Sequence, residues 1–431
     1  MKTKCGIALI TAAGCLSAPI SFADTETDEI KQQLGQLKAQ IAALEARLAE
    51  QEASQVALGE QQAQLITRGP DVLDEEASQG GISVGGAVRA NYNHTSYSDG
   101  NQDRVGDFDF DIFRFNLNGS IGDVSLNAEI RFFDYMTAVK YAYAGYQLSD
   151  DWQVQAGITQ VPFGNWPYNS HNYFFSTNYY LGLEDDHDLG ILFKRRVSDN
   201  WQLDLGFFKN DELGGVDGYV GSRADRYSYD IVGARAANDG IYDDPAQPVG
   251  EYNTFSGRFG YHLNQGDLET ELGVSALTGG LHDGQSRAGD YHAWAVHSNS
   301  YYDNWNLQLQ YSQYQYGISG VDRMAVGAYA FYDSIAAEAT SATLNLAYSL
   351  PLEWGPVTGL QFYNNYGLVY DKSDGSRDTM MNVTGVSVAA GGLFTYFDLV
   401  HGRNQPFVGG SASGNSNEIE RRFNINIGYY F

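Results

Sequence analysis

From Ile82 to Phe431 the sequence keeps returning to a period of two, and this rhythm limits the folds open to the chain more than any other feature. In Trp152-Gln153-Val154-Gln155-Ala156-Gly157-Ile158 the even positions are apolar and the odd ones are polar or Gly. The runs from Val124 to Phe132, Trp201 to Leu205 and Trp305 to Tyr311 repeat the pattern. A strand with one face in lipid and the other in water requires this alternation. No stretch approaches the roughly twenty consecutive apolar residues of a transmembrane helix, so any membrane span must be built of strands.

Three strands open alike, with Asp150-Asp151-Trp152, Asp199-Asn200-Trp201 and Asp303-Asn304-Trp305. Asx residues suit a tight turn, and a Trp just after it lies at headgroup level in a barrel. A β-sandwich with aromatic strand starts is the competing reading. Counting segments gives sixteen strands, near 82–95, 107–119, 123–134, 138–149, 151–160, 187–198, 200–209, 251–263, 268–279, 289–300, 304–316, 340–350, 358–370, 380–390, 392–402 and 420–431. An even number returns both ends of the barrel to one side, and the connections alternate short and long as periplasmic turns and outer loops do. The apolar stretch 324–333 is assigned to a loop. The expected fold is all-β: a transmembrane antiparallel barrel of about sixteen strands over 82–431, preceded by a helical coiled-coil segment.

Composition agrees with a wet-lined barrel. Tyr (31), Phe (22) and Gly (49) are abundant while mean hydropathy is negative, because each strand gives half its residues to a polar lumen. Both cysteines, Cys5 and Cys15, fall in the first twenty residues, which excludes disulfide stapling and cysteine zinc sites from the barrel. A net charge of −27 argues against nucleic acid as a partner.

The first 23 residues read as a signal peptide: Lys2 and Lys4, an apolar run from Gly6 to Leu16, and Ser21-Phe22-Ala23 before the cut. Ala12-Ala13-Gly14-Cys15 offers a lipoprotein box as the rival. Residues 24–66 read as a periplasmic coiled coil, since Ile30, Leu34, Leu37, Ile41, Leu44 and Leu48 alternate four and three apart. A lone amphipathic helix packed on the barrel is the alternative. Residues 67–81, with Gly69-Pro70 and Gly80-Gly81, read as a linker.

The stretch from about 108 to 195 resembles the phosphate-selective porins O and P. The likeness is carried by Phe113-Arg114-Phe115-Asn116-Leu117-Asn118-Gly119, Ala142-Tyr143-Ala144-Gly145-Tyr146, the run from Val154 through Pro162-Phe163-Gly164, and Asp188-Leu189-Gly190-Ile191. Beyond 195 it is architectural. The resemblance implies a homotrimer of sixteen-stranded barrels whose third outer loop, here 161–186, folds inside as a constriction. A terminal Phe, here Phe431, resembles the signal that outer-membrane barrels present to their assembly machinery, with an edge strand ending in a buried Phe as the competing reading. Anion selectivity in that family depends on basic residues lining the pore, yet residues 81–431 carry 41 Asp and Glu against 20 Lys and Arg. Phosphate specificity is therefore not carried over.

The alternation points Arg114, Glu129, Arg131 and Lys140 into the lumen, with Asp109 and Asp111 nearer the outer mouth. Tyr168, Asp185 and Asp186 of the third loop complete the expected pore lining. Charges facing one another across a narrow channel orient polar solutes. Glu129 and Arg131 equally suit pairing across strands to fill the wall. Glu184-Asp185-Asp186-His187-Asp188 is the densest ligand-like cluster, and hard oxygens suit Ca²⁺, but its spacing matches no metal motif and a solvated acidic loop is the expectation. No nucleophile elbow, Walker loop or paired-His helix occurs, and Asn169, Ser170 and His171 are adjacent in one loop, unlike a triad. The expectation is a passive diffusion channel in outer-membrane lipid, with no catalytic residues, cofactor or metal. A surface adhesin or receptor barrel with long acidic loops, or an outer-membrane hydrolase, are the competing classes.

Overall fold

The structure is a computed structural model that describes residues 81–431 apart from 173, 199, 219 and 237. The expected signal peptide, coiled coil and all of the linker but Gly81 lie outside the described residues. The strands are β1 (Gly81–Thr95), β2 (Asp107–Ile121), β3 (Val124–Phe132), β4 (Thr137–Gln147), β5 (Trp152–Gln160), β6 (His187–Ser198), β7 (Trp201–Asp211), β8 (Asp230–Ala234), β9 (Gln247–Pro248) and β10 (Gly250–Gln265). They continue with β11 (Leu268–His282), β12 (Arg287–Tyr302), β13 (Trp305–Ile318), β14 (Arg323–Ala328), β15 (Phe331–Ala336), β16 (Glu338–Trp354), β17 (Val357–Tyr370), β18 (Thr379–Ala390), β19 (Leu393–Arg403) and β20 (Glu420–Tyr430).

Sixteen of these close into one antiparallel barrel, with β8, β9, β14 and β15 excluded from it. The barrel strands are the sixteen that alternation marks out, with ends shifted by a few residues; β16 runs on to Trp354 instead of stopping at 350. Asn200 and Asp303 take positive φ in the tight turns, the left-handed backbone that Asx residues tolerate best. Trp201 and Trp305 follow them at the strand starts, and the Arg195 guanidinium lies over the Trp201 ring at 3.4 Å. The barrel closes where β1 pairs with β20: the Gly86 N–H donates to the Phe431 carbonyl at 2.8 Å and receives the Phe431 N–H on its own carbonyl at 3.1 Å. A Cβ on Gly86 would run into the Arg114 carbonyl, so the seam needs a glycine there.

Outward positions such as Val88, Leu205, Val274, Val296, Leu344 and Leu399 leave large apolar side chains exposed around the wall. A band of this extent is a lipid-facing surface, because water-soluble monomers keep contiguous apolar patches small. No described helix is long and apolar enough to cross a membrane. In β2 the alternation changes phase. Arg89 pairs with Ile112 and Ala90 with Phe110, so Asp111 is the extra residue of a bulge. Phe108 and Phe110 therefore face outward before it and Phe113 after it, while Asp109, Asp111 and Arg114 all face inward.

The connections at one end are short turns and those at the other are long. The apolar run expected to be loop, 324–333, lies in a long connection but forms the hairpin β14–β15, which joins β8 and β9 in a four-stranded sheet ordered β15-β14-β8-β9. Buried Met324, Val326, Ile231, Val232 and Ile335 give that sheet its core. A hydrophobic hairpin needs such a cover to be stable.

Candidate pore constriction

The 161–186 connection enters the barrel and follows its inner wall. The Pro162 carbonyl accepts from Ser256 Oγ at 2.9 Å, the Gly164 N–H donates to Ser275 Oγ at 2.8 Å, and the Gly164 carbonyl accepts from Arg258 Nε at 2.8 Å. Gly164 has φ +60°, and a Cβ there would collide with the Gln310 side chain. The Pro162-Phe163-Gly164 turn is thus the point where the loop docks on β10, β11 and β13. Farther on, the Asn165 N–H donates to Gln310 Oε1 at 2.7 Å, Asn169 Nδ2 to Thr343 Oγ1 at 2.8 Å, and Asn172 Nδ2 to Asp398 Oδ2 at 2.7 Å. The His171 ring nitrogens lie 2.9 Å from Asn365 Oδ1 and 2.6 Å from Asn306 Oδ1. Each such bond contributes about 1 kcal/mol net, while leaving one buried partner unpaired costs more, so the loop and the polar inward residues of β13, β16, β17 and β19 hold one another in place.

The loop then turns back. Phe174, Phe175, Tyr179 and Tyr180 pack against Tyr227, Tyr229, Tyr329 and Phe407, with Tyr180 and Tyr229 ring centroids 4.2 Å apart and Tyr180 and Phe407 4.6 Å apart. The outer-loop sheet and the 404–419 connection therefore grip the inner loop by its rings. Burial pushes the Glu184 carboxyl up to about 7, although it accepts from Ser176 Oγ and from the Asn169 N–H at 2.9 Å.

Six of the nine sequence-marked residues form two sets, and three stand outside them. Arg114, Glu129 and Arg131 form one buried ion-pair set on β2 and β3: Arg131 Nε lies 2.5 Å and Arg114 Nη1 3.6 Å from Glu129. Lys140, Tyr168 and Asp185 form a second, with Lys140 Nζ 3.2 Å from Asp185 and donating to the Tyr168 hydroxyl at 2.8 Å. Tyr227 joins the two sets. Its hydroxyl donates to Asp185 Oδ2 at 2.5 Å, and its ring receives Arg131 at 4.6 Å and Lys140 at 5.1 Å. Asp111 meets Arg89 Nε at 2.9 Å and accepts from Asn426 Nδ2 at 2.8 Å. Asp109 stands apart, exposed, with Asn93 Nδ2 at 3.4 Å. Asp186 turns away from this network, toward Asp188 and Asp230.

Between the inner loop and the β1–β3 wall lies a cavity of about 280 Å³. Arg89, Asp111 and Arg131 line its wall side, and Phe174, Tyr180, Tyr229, Tyr329 and Phe331 its loop side. Its cations have carboxylates beside them, Asp111 at Arg89 and Glu129 at Arg131. Arg89 was readable from the sequence, since Val84 and Val88 on the outward face of β1 put 87 and 89 inward. The Tyr227, Tyr229 and Tyr329 contacts were not, because they depend on loops pairing across the chain.

The expected solvated acidic loop needs correction: Glu184, Asp185, Asp186 and Asp188 are all at most 9% exposed. Asp186, Asp188 and Asp230 each place one carboxylate oxygen within 4.8 Å of the others. Two such charges repel by about 3 kcal/mol at an effective dielectric near 20, so the trio cannot be fully ionised without compensation.

No protein-family model and no curated protein matches the chain. Among solved structures it is similar to the outer membrane channel DcaP of Acinetobacter baumannii, at 12% identity and a TM-score of 0.52 over 82% of this chain and 99% of that one. It is likewise similar to outer-membrane expressed OmpT of Vibrio cholerae, at 12% identity and a TM-score of 0.50 over 83% of this chain and 100% of that one. At this identity the likeness shows the fold.

Proposed function

We propose that the chain is an outer-membrane porin of a Gram-negative bacterium, a passive diffusion channel for small hydrophilic solutes and ions with no catalytic residues. The observation that carries this reading is the inner loop, which runs inside a lipid-faced barrel on polar hydrogen bonds and borders a cavity with Arg89, Asp111 and Arg131 on one side and aromatic rings on the other. A plug built of side-chain rings and Asn amides leaves small polar solutes a path while excluding large ones. The solved channel DcaP supports the reading through its fold.

The site favours weak selectivity over phosphate specificity. Arg89 and Arg131 are matched by Asp111 and Glu129, and the remaining lining is mostly aromatic, whereas tight phosphate capture needs several uncompensated donors. We read the likeness to porins O and P as architectural, down to the docking turn at Pro162-Phe163-Gly164. The acid excess of 41 to 20 over residues 81–431 raises the local concentration of cations near the mouths. Segment 24–66, following a signal peptide at 1–23 and tethered by the 67–81 linker, assists a homotrimer from the periplasm. Phe431, the residue after the closing strand, presents the assembly signal.

Liposomes carrying the purified protein test this reading by swelling. Sugars and amino acids of small size should enter, with rates falling steeply as solute size grows. Vesicles that stay osmotically tight to all of them would contradict it.

A further inference from the structure

The channel reading leaves one buried constellation without a role. Asp186 ends the inner loop, Asp188 follows two residues later in β6, and Asp230 opens β8 in the loop sheet. Their exposures are 9, 2 and 5%. The two-residue spacing sets Asp186 and Asp188 on the same side of the chain, and β8 brings Asp230 to them. Apart from this clustering, Asp186 Oδ1 and Asp188 Oδ1 are buried without a hydrogen-bond partner among the described residues. Buried carboxylate oxygens in native proteins are almost always engaged, so two unpartnered ones on residues of the same cluster point to a missing ligand.

Charge balance points the same way. The nearby cations are already committed. Arg226 meets Asp211 at 2.8 Å, Asp230 at 2.5 Å and Glu212 at 3.4 Å, and Arg223 is taken by Asp211. Glu251 and Glu212 stand close to Asp186 and add to the negative charge there. The surroundings therefore hold more carboxylates than cations, and a positive ion is what they lack.

We propose that Asp186, Asp188 and Asp230 form a Ca²⁺ site that fastens the inner loop and the loop sheet to β6. All three donors are carboxylate oxygens, which suit a hard cation and not zinc or copper. His187 stands between them in sequence, but its Nδ1 lies 3.0 Å from the Asp185 carbonyl and its ring stacks on Tyr141, so it belongs to the other network. Carboxylates from two stretches of chain far apart in sequence give the irregular, adaptable cage that Ca²⁺ accepts, while Mg²⁺ demands near-ideal octahedral geometry and keeps its waters. The site goes beyond the channel reading and stands whether or not the barrel conducts.

Calorimetric titration of CaCl₂ into EGTA-stripped full-length protein in detergent tests it. One Ca²⁺ should bind per chain and raise the melting temperature, with Mg²⁺ binding more weakly. Asp188→Asn and Asp230→Asn, each removing a charged ligand, should weaken binding by about a hundredfold. A double Asp243→Asn, Asp244→Asn variant, in the exposed part of the same long connection, should bind as the parent does. If the stripped parent protein shows no saturable Ca²⁺ binding, or if Asp188→Asn binds as tightly as the parent, the carboxyls hold protons instead and the proposal is overturned. Should Asp188→Asn fail to fold, the parent titration and Asp186→Asn decide the matter.

Discussion

Arg89 and Asp111 face each other at 2.9 Å on the cavity wall, and their balance sets much of the field that a solute meets there. Replacing Arg89 with Gln leaves the Asp111 carboxylate unmatched, so the reversal potential under a KCl gradient should move toward cation selectivity. Asp111→Asn should move it the other way. No shift in either variant would place the cavity off the ion path. Glu184 supplies a pH test at the same scale. Its folded-state value of about 7 lies above the ordinary carboxyl value of 4.5, so the neutral acid is the form that the fold favours. Its contribution is fully present below about pH 4.5 and is lost as pH rises through about 7. The parent should therefore lose more thermal stability between pH 5 and pH 8 than Glu184→Gln, and equal losses would refute the assignment. Residues on unbroken stretches of strand, such as Glu129 and Arg131 two apart on β3, were legible because alternation fixes their side. Asp111 and Lys140 are the extra residues of bulges in β2 and β4, and the change of phase beside each is what alternation alone does not reveal.

At the scale of the element, the inner loop owes its path to one turn and a series of Asn side chains. Gly164→Val adds a side chain where Gln310 already sits, at a φ that β-branched residues avoid, and should loosen the loop by about 2 kcal/mol or more while the barrel still forms. Proteolytic nicking within 165–183 should then accelerate in folded protein; parent-like resistance would count against the docking role of the turn. Replacing 165–183 with a short Gly-Ser linker should raise single-channel conductance severalfold, and an unchanged conductance would mean that the loop does not set the bore. The sixteen barrel strands were readable because a lipid face and a wet face impose the same two-residue pattern on each. The sheet of β8, β9, β14 and β15 was not, since its strands are short, β8 and β14 are buried with no polar face to alternate, and their pairing joins residues about ninety positions apart. The burial of Glu184 to Asp188 was hidden for a related reason: Tyr227, Ser228 and Asp230, which meet this stretch, come from β8 and the connection leading into it.

At the scale of the whole molecule, a lipid-faced barrel, a polar lumen and a plug held by that lumen form one design, in which the inward residues serve both the wall and the loop. Assembly is the first consequence. Cross-linking of the intact protein should capture trimers, and deleting 28–66 should lower their resistance to SDS and heat without preventing barrel folding; capture of monomers alone would end the trimer proposal. The most direct test of the central claim is the current through purified protein in a planar lipid bilayer. The account predicts discrete, stepwise, ohmic conductance increments as molecules insert. Protein that is shown to be folded and inserted, yet passes no current, would contradict it.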